Sequence, residues 1–393
     1  MNEKLRADFP VLKHVIYMDS AATSLTPDPV VEAVAGYYRY YNANVGRSVY
    51  RLAQQASQKY KEAHRKVADF IGAKSEDAVV FTKNTTEAIN MVAYGLEWQK
   101  GDEVVTTLLE HHSNFLPWFE VQREGVKLRI VKPDRTGKLE LADFEAAIND
   151  STKLVAVTHV SNVLGTISQI KELATICKER GVLLLVDAAQ SVPHIQIDAE
   201  ELGCDFIAFS GHKMLGPTGT GVLWMKDPDK LVPAFVGGGM IEAVSVDDYE
   251  LAAGYERFEA GTPNIAGGIG LGRAVDYLTD VGMVELKRYE ERLTNKLIQG
   301  LRAMEDMVEV YGTTNPDERI GVVSFNINGM DPHEVALRLD RDSNIAVRSG
   351  HHCCMPLMHY LGLKQGTVRV SVYLYNTEEE VDKFLESVER IAE

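Results

Sequence analysis

The 393-residue sequence predicts an α/β protein with a large, mostly parallel sheet and a smaller α+β unit. Between residues 78 and 226, short runs rich in Val and Ile alternate with helical patterns, which is typical of a parallel sheet covered on both faces. After residue 264 the pattern changes to long helical stretches with few strands. The predicted strands of the large sheet are 78–82, 102–107, 153–159, 181–187, 205–210 and 221–226.

The elements after residue 264 form the smaller predicted unit. The pattern indicates helices over 266–278 and 284–304, a pair of strands at 320–326 and 367–372, and a closing helix over 377–392. Thr377 suits the N-cap of that last helix, and the three glutamates after it suit the positive end of the helix dipole. This order of elements predicts a separate α+β domain.

The composition excludes several classes of function. With 45% hydrophobic and 25% charged residues, the chain is an ordinary folded protein, and its formal net charge of −16 argues against nucleic acid or an anionic membrane as a partner. No run reaches the ~18 apolar residues of a membrane span, and the first residues carry charges of both signs. Four cysteines are too few for a disulfide scaffold. We therefore expect a cytoplasmic protein.

Polar residues directly follow several of the predicted strands. In parallel sheets, ligands bind at the carboxyl ends of the strands, so we expect these residues to meet at one site. They are Asn84 to Glu87, Glu110 to His112, His159 to Asn162, Asp187 to Gln190 and Ser210 to Lys213.

Two of these positions carry charges that suggest a cofactor. Lys213 follows a buried-looking strand, where its charge is costly to desolvate unless the amine is paired, neutralised or bound in a Schiff base; a surface-turn lysine is the alternative. Asp187 could hold a pyridinium nitrogen protonated, or could simply cap the next helix. Thr85 and Thr86 open a helix whose free N–H groups form an anion site, with plain N-capping as the alternative.

The segment RSGHHCCMP, residues 348–356, surrounds a cysteine with basic side chains. Cys353 has Arg348, His351 and His352 close by in sequence, and positive charge favours the thiolate, which is the nucleophilic form. A metal site is the alternative, because His and Cys are both good ligands. Adjacent ligands do not easily share one tetrahedral ion and the usual spacing is missing, so we predict no metal.

Eight segments, in order, resemble the group II, Suf-type cysteine desulfurases, which are pyridoxal-phosphate (PLP) enzymes of fold type I in the class V aminotransferase branch. They are DSAATS (19–24), KNTTEAIN (83–90), EHHSNFLPW (110–118), THVSNVLGT (158–166), VDAAQSVPH (186–194), FSGHKMLGPTGTGVLW (209–224), RFEAGTPN (257–264) and VRSGHHCCMPLM (347–358). The likeness covers essentially the whole chain. It implies a large PLP-binding domain at 12–278 and a small α+β domain, 1–11 with 279–393, that carries the Cys353 loop.

The resemblance also implies a role for each motif residue. Lys213 forms the covalent bond with the aldehyde of PLP, and Asp187 pairs with the ring nitrogen. Gln190 bonds the phenolic oxygen, while His111 stacks on the ring and serves in proton transfer. Cys353 is the nucleophile. The implied phosphate ligands are Thr85, Thr86, Ser210, His212 and, from the second subunit of a homodimer, Thr262; the implied ligands of the substrate carboxylate are Asn162 and Arg369.

The implied reaction converts L-cysteine to L-alanine and leaves the sulfur on Cys353 as a persulfide, which passes to an acceptor protein or scaffold for iron–sulfur cluster assembly. A selenocysteine lyase, releasing selenide and L-alanine, is the nearest alternative because it uses the same cofactor. Ordinary class V transamination requires no reactive cysteine. Retention of Lys213, Asp187 and His111 weighs against a non-catalytic sulfur carrier or a His/Cys metal-binding protein.

Two segments depart from the family pattern. Where the family has His-Arg-Gly-x-His, residues 46–50 read GRSVY and keep only Arg47, which affects the subunit contact or the acceptor site. Where the family has alanine after the nucleophile, this chain has Cys354. Neighbouring side chains on an extended loop point opposite ways, so we expect Cys354 to be a harmless replacement. We expect Cys177 and Cys204 to fill the core.

Overall fold

The computed structural model describes residues 3–393. Its strands are β1 Ile16–Tyr17, β2 Val79–Thr82, β3 Glu103–Thr107, β4 Lys127–Val131, β5 Thr152–Thr158, β6 Leu183–Asp187, β7 Phe206–Ser210, β8 Gly221–Met225, β9 Ile241–Val244, β10 Tyr249–Leu251, β11 Val308–Tyr311, β12 Val322–Ile327, β13 Ile345–Ala346, β14 Arg348–Gly350 and β15 Thr367–Ser371. Its α-helices are α1 Glu3–Arg6, α2 Asp28–Tyr40, α3 Arg51–Phe70, α4 Thr85–Gly95, α5 Leu116–Val121, α6 Leu141–Ala147, α7 Ile170–Glu179, α8 Ala199–Leu202, α9 Ile265–Val281, α10 Met283–Arg302, α11 Pro332–Ser343, α12 Met355–Leu361 and α13 Glu378–Ala392. Over this range, none of the helices is both long and apolar enough to cross a membrane.

The large sheet has the order β2-β8-β7-β6-β5-β3-β4. Strand β8 runs antiparallel to both of its neighbours, and the remaining pairs are parallel. All six strands predicted for this sheet are present, with ends within two residues of the prediction. The predicted α/β class with a mostly parallel sheet is confirmed.

Both faces of this sheet are buried, which explains why its strands read as continuous apolar runs. In β7, Ile207 and Phe209 pack in one apolar cluster with residues of α7 and α9. Phe206 and Ala208, which alternate with them, pack in another cluster with residues of α4 and α5. Because successive side chains of a strand point to opposite faces, helices must cover the sheet on both sides.

The smaller sheet has the antiparallel order β11-β12-β15-β14. Helices α10, α11 and α13 share an apolar cluster with it. The predicted pairing of 320–326 with 367–372 is present as β12 and β15, and Thr377 and Glu380 form a capping box at the start of α13. The predicted domain boundaries, 12–278 against 1–11 with 279–393, remain a prediction.

Candidate active site

A cavity of about 180 Å³ opens where β2, β3, β5, β6 and β7 of the large sheet end. Ten of the twelve residues predicted for the site line this cavity: Thr85, Thr86, His111, Asn162, Asp187, Gln190, Ser210, His212, Lys213 and Arg369. Cys353 lies next to it, and Thr262 lies elsewhere.

Lys213 lies in a short 3-10 turn, Gly211–Lys213, directly after β7. Ser24 fixes this turn from the N-terminal part of the chain: its N–H and its hydroxyl donate to the carbonyl of His212 at 2.9 and 3.1 Å. The hydroxyl oxygen of Ser24 also accepts from the N–H of Leu215 at 2.8 Å. The backbone on both sides of Lys213 is therefore held in place at the cavity wall.

Lys213 and Asp187 are both buried at this cavity, and burial shifts their pKa values in opposite directions. Burial lowers the pKa of Lys213 to about 8, although attraction to Asp187 acts in the other direction. Burial raises the pKa of Asp187, which accepts a hydrogen bond from the N–H of Ala189 at 2.9 Å and is attracted by the charge of Lys213. The cavity thus contains an amine that releases its proton easily and a buried carboxylate suited to a cationic partner.

The start of α4 forms the part of the cavity that suits an anion. Asn84 caps this 11-residue helix, so Thr85 and Thr86 occupy its first turn. The N–H of Thr85 donates to the hydroxyl oxygen of Ser210 at 2.9 Å, and the two hydroxyl oxygens are 2.6 Å apart. The hydroxyl of Thr86 is 2.7 Å from that of Ser113. Free N–H groups and hydroxyls at a helix start are a ready site for phosphate.

The hydrogen bonds of His111 define its tautomer. Its Nδ1 accepts from the N–H of Ser113 at 3.1 Å and lies 2.9 Å from the hydroxyl of the same residue. Burial, and then the charge of Lys213, lower the pKa of His111 to about 3. At neutral pH the ring is therefore uncharged and carries its proton on Nε2, which can donate a hydrogen bond.

Glu110, for which the sequence predicts no specific role, anchors the backbone just before His111. Its buried carboxyl accepts from the hydroxyl of Thr107 at 2.7 Å and from the N–H of Thr158 at 3.0 Å, and the amide of Asn114 also donates to it. These bonds join the ends of β3 and β5 to the turn after His111. Burial raises the pKa of Glu110 to about 8. An acid three residues after a buried strand is the sequence signal that could have identified it.

Replacing Glu110 with glutamine should change how the stability of the protein depends on pH. The pKa of about 8 in the folded chain exceeds the ordinary value of 4.5, so the folded chain keeps a proton that the unfolded chain releases. The stability contributed by Glu110 is fully present below about 4.5 and is lost as the pH rises through about 8. We expect Glu110→Gln to gain stability relative to the native chain over this window, by up to about 1.4 kcal/mol per pH unit.

Urea unfolding of both chains between pH 5 and pH 9 measures this difference. A difference in the free energy of unfolding that is the same at every pH would contradict the raised pKa of Glu110.

Cys353 lies next to the cavity, on the loop between β14 and α12. Its sulfur is 3.5 Å from a guanidinium nitrogen of Arg348, which lines the cavity. The carbonyl of Cys353 accepts from the N–H of His112 at 2.7 Å, and the side-chain amide of Asn162 donates to the carbonyl of His352 at 2.8 Å. Residues after β3 and β5 of the large sheet therefore contact this loop directly.

The loop around Cys353 is not extended, and the expectation that it would be is wrong. His352 and Cys353 have φ angles of 51° and 57°, in the left-handed region, which residues other than glycine occupy only when their surroundings hold them there. Such tertiary contacts cannot be read from the local sequence.

Cys354 points into the protein interior. Its buried thiol lies 3.2 Å from the carbonyl oxygen of Glu110 and 3.5 Å from that of Leu109, and burial raises its pKa. This environment supports the expectation that Cys354 replaces alanine harmlessly, although by a different geometry. Cys177 and Cys204 are also buried in the apolar core.

Two further residues of the site carry buried polar atoms without a partner among residues 3–393. The guanidinium of Arg369 donates to the carboxylate of Asp19 and to the carbonyl of Asn162, both at 2.9 Å, while its Nε has no partner. The side-chain amide of Gln190 donates to the carbonyl of Ala21 at 2.7 Å, and its Oε1 has no partner. Buried polar atoms of this kind are normally satisfied, so a ligand is a natural partner for them.

Thr262 does not join the other site residues within this chain. It is exposed on the loop before α9, in a groove that residues 46–48 of the segment 46–50 also line. Arg47 of that segment donates a hydrogen bond to the carbonyl of Ile241. The contribution of Thr262 to the site of a second subunit remains a prediction.

The chain matches the class V aminotransferase family over residues 16–384. The chain belongs to the class V aminotransferase family. A protein of Methanothermobacter thermautotrophicus, named a probable cysteine desulfurase, is 47% identical over an alignment of 395 positions. The alignment covers 99% of this chain and 98% of that protein. Among the relatives of this chain in the family are therefore proteins named cysteine desulfurase.

Solved structures agree with this assignment. An apo cysteine desulfurase of Thermococcus onnurineus is 48% identical with a TM-score of 0.96, covering 100% of this chain and 98% of that one. The cysteine desulfurase CsdA of Escherichia coli, in an S-sulfonic acid form, is 32% identical with a TM-score of 0.90, covering 99% and 98%. The predicted fold type I architecture and the predicted family are confirmed, and within the class V aminotransferases the chain groups with the cysteine desulfurases.

This family implies PLP as cofactor, and the groups around the cavity fit it. The start of α4 suits the phosphate, and the easily deprotonated amine of Lys213 suits the aldehyde. The buried carboxylate of Asp187 suits a cationic ring nitrogen, and Oε1 of Gln190 is a buried polar atom that needs a partner. Each polar part of PLP thus has a chemical counterpart in this cavity.

Proposed function

We propose that this chain is a cysteine desulfurase that converts L-cysteine to L-alanine and takes the sulfur onto Cys353 as a persulfide. The observation that carries the proposal is the guanidinium of Arg348, 3.5 Å from the sulfur of Cys353, beside a cavity that contains Lys213 and Asp187. A cysteine sulfur held beside the substrate cavity is placed to attack the sulfur of a bound substrate. Amino-group transfer alone needs no such cysteine.

We infer that the predicted cavity residues hold PLP. When bound, PLP withdraws electrons from the carbon atoms of an attached amino acid. Lys213 supplies the amine for covalent attachment, and Asp187 keeps the ring nitrogen protonated. The phosphate is held by Thr85, Thr86, Ser210 and His212, with Thr262 from the second subunit of a homodimer; Gln190 bonds the phenolic oxygen and His111 packs on the ring.

The side chains of the cavity then bind the substrate and move its protons. The guanidinium of Arg369, with the amide of Asn162, orients the carboxylate of L-cysteine. The amine of Lys213, whose pKa is about 8, is partly unprotonated near neutral pH and removes the proton from the α-carbon. Nε2 of His111 exchanges a proton with the substrate thiol.

The thiolate of Cys353 attacks the substrate sulfur. A sulfur–sulfur bond forms on Cys353 while the carbon–sulfur bond of the substrate breaks, and the bonding electron pair stays with the β-carbon. That carbon takes up a proton, Lys213 returns a proton to the α-carbon, and the product leaves as L-alanine. The outer sulfur of the persulfide then passes to a thiol of an acceptor protein or scaffold. Iron–sulfur cluster assembly as the destination and a cytoplasmic location are parts of this proposal.

The products formed from three substrates test the proposal. PLP-loaded protein with L-cysteine and a reducing thiol should release L-alanine and sulfide in equal amounts. Alanine and selenide from L-selenocysteine, with nothing from L-cysteine, would instead indicate a selenocysteine lyase. An amino acid formed from an added keto acid, without sulfide, would indicate a transaminase. Either of these last two results would contradict the proposal.

A further inference from the structure

The Cys353 loop has a backbone conformation that needs outside support. His352 and Cys353 both have left-handed φ angles, and Cys354 directly follows them. Neither left-handed residue is a glycine, so each occupies a sparsely populated conformation that persists only where the surrounding structure holds it. The groups that contact this turn therefore decide where the sulfur of Cys353 lies.

His112 contacts the turn at two points, one on each side of Cys354. Its N–H donates to the carbonyl of Cys353 at 2.7 Å. Its Nε2 lies 3.2 Å from the backbone N of Met355, the first residue of α12, and accepts a hydrogen bond from that N–H. One residue thus connects the carbonyl of the nucleophile to the start of the helix that follows it.

His112 also connects the nucleophile to the predicted proton-transfer residue. It directly follows His111, whose ring is fixed by Ser113, and Glu110 anchors the backbone on the other side of His111. The spacing between the imidazole of His111 and the backbone of Cys353 is therefore set by a single, well-anchored stretch of chain.

We propose that the imidazole of His112 is a positioning residue that holds the Cys353 loop in the left-handed conformation needed for sulfur transfer. This inference rests on the proposed function and deepens it. The ring must accept the bond from Met355, so its Nε2 carries no proton. Burial, and then the charge of His351, lower the pKa of His112, which favours the uncharged ring, and the bond from Met355 favours the tautomer with its proton on Nδ1.

Three variants of His112 test whether its side chain positions the Cys353 loop or only supports the folding of the protein. His112→Leu removes the acceptor. His112→Gln offers an oxygen at nearly the reach of Nε2, while His112→Asn is too short. All three keep the backbone N–H that bonds Cys353. His359→Leu is the matched control, since His359 is exposed on α12 and its side chain makes no hydrogen bond within residues 3–393.

The readouts are chosen so that a structural role alone would not produce the expected pattern. In His112→Leu and His112→Asn, kcat for alanine formation from L-cysteine should fall about 10- to 100-fold with KM little changed, because the nucleophile is displaced. His112→Gln should recover most of the rate, and His359→Leu should match the native chain. The absorbance change of bound PLP on adding L-cysteine should persist in all variants.

Two further measurements do not depend on desulfuration. Selenium leaves more readily than sulfur, so alanine formation from L-selenocysteine should fall less than about threefold in His112→Leu. Without substrate, the rate at which iodoacetamide alkylates Cys353 should differ several-fold between His112→Leu and the native chain. If the leucine variant does not fold, the comparison of asparagine with glutamine replaces it.

An unchanged kcat and an unchanged alkylation rate in His112→Leu and His112→Asn would overturn the positioning role. An equal loss with both substrates, together with altered PLP absorbance, would also overturn it, because it would indicate damage to the whole site. If the native chain forms no alanine from L-cysteine, the proposed function fails, and the alkylation rates still test the position of Cys353.

Discussion

Replacing Cys353 with alanine is expected to lower the rate of alanine formation from L-cysteine by at least about a thousandfold. The carbon–sulfur bond breaks only when a nucleophile accepts the sulfur, and the thiol beside Arg348 is the group placed to do so. L-Selenocysteine should still be converted at a measurable rate, because selenium is a better leaving group. Steady-state assays of alanine from both substrates measure the two effects.

The neighbouring thiol offers a matched control. Cys354→Ala restores the residue typical of the family at a buried position that faces the carbonyls of Leu109 and Glu110. We expect this variant to keep nearly the native rate with L-cysteine. Native activity in Cys353→Ala combined with a large loss in Cys354→Ala would show that the nucleophile has been misassigned.

Replacing Lys213 with alanine is expected to remove the covalent link to PLP and to lower activity by at least about ten-thousandfold. The amine of Lys213 is needed twice, first to attach the cofactor and then to move the proton of the α-carbon. Borohydride reduction of the native, PLP-loaded protein should attach the pyridoxyl group to the peptide that contains Lys213, and the variant should show no such product.

Lys171→Ala is the control for this experiment. Lys171 is exposed on α7 and pairs with Glu201 at 3.1 Å, so its loss should leave borohydride trapping and activity unchanged. The Lys213 variant should also remain folded by circular dichroism, since Ser24 holds the backbone of the turn rather than the amine. A pyridoxyl group attached to another lysine in the native chain would contradict the assignment.

The strands of the large sheet could be predicted because burial on both faces makes them continuous apolar runs. Strand β6, Leu183–Asp187, shows this well, since it is buried along nearly its whole length and ends in the functional carboxylate. Strand β4 was not predicted, because it is an edge strand whose segment KLRIV exposes Lys127, Arg129 and Ile130. A half-exposed edge strand does not carry the same apolar signal.

The residues of the site could be predicted where chemistry and strand ends coincide, as at Lys213 and Asp187. The contacts that hold these site residues in place could not be predicted, because they join distant parts of the chain. Ser24 fixes the turn of Lys213 by bonding His212, which lies 188 residues away in the chain. His112, which follows β3 of the large sheet, bonds the turn of Cys353, which follows β14 of the small sheet. The left-handed backbone of Cys353 depends on such contacts, which no local pattern reveals.

The most direct test of the account is to find where sulfur resides during turnover. The PLP-loaded native protein is mixed with one equivalent of L-cysteine in the absence of any reducing thiol, digested, and analysed by mass spectrometry with free thiols blocked. We predict that the peptide containing Cys353 and Cys354 gains one sulfur atom, that fragmentation assigns it to Cys353, and that L-alanine appears in equal amount. Alanine released while Cys353 gains no sulfur, or sulfur found on another cysteine, would contradict the account.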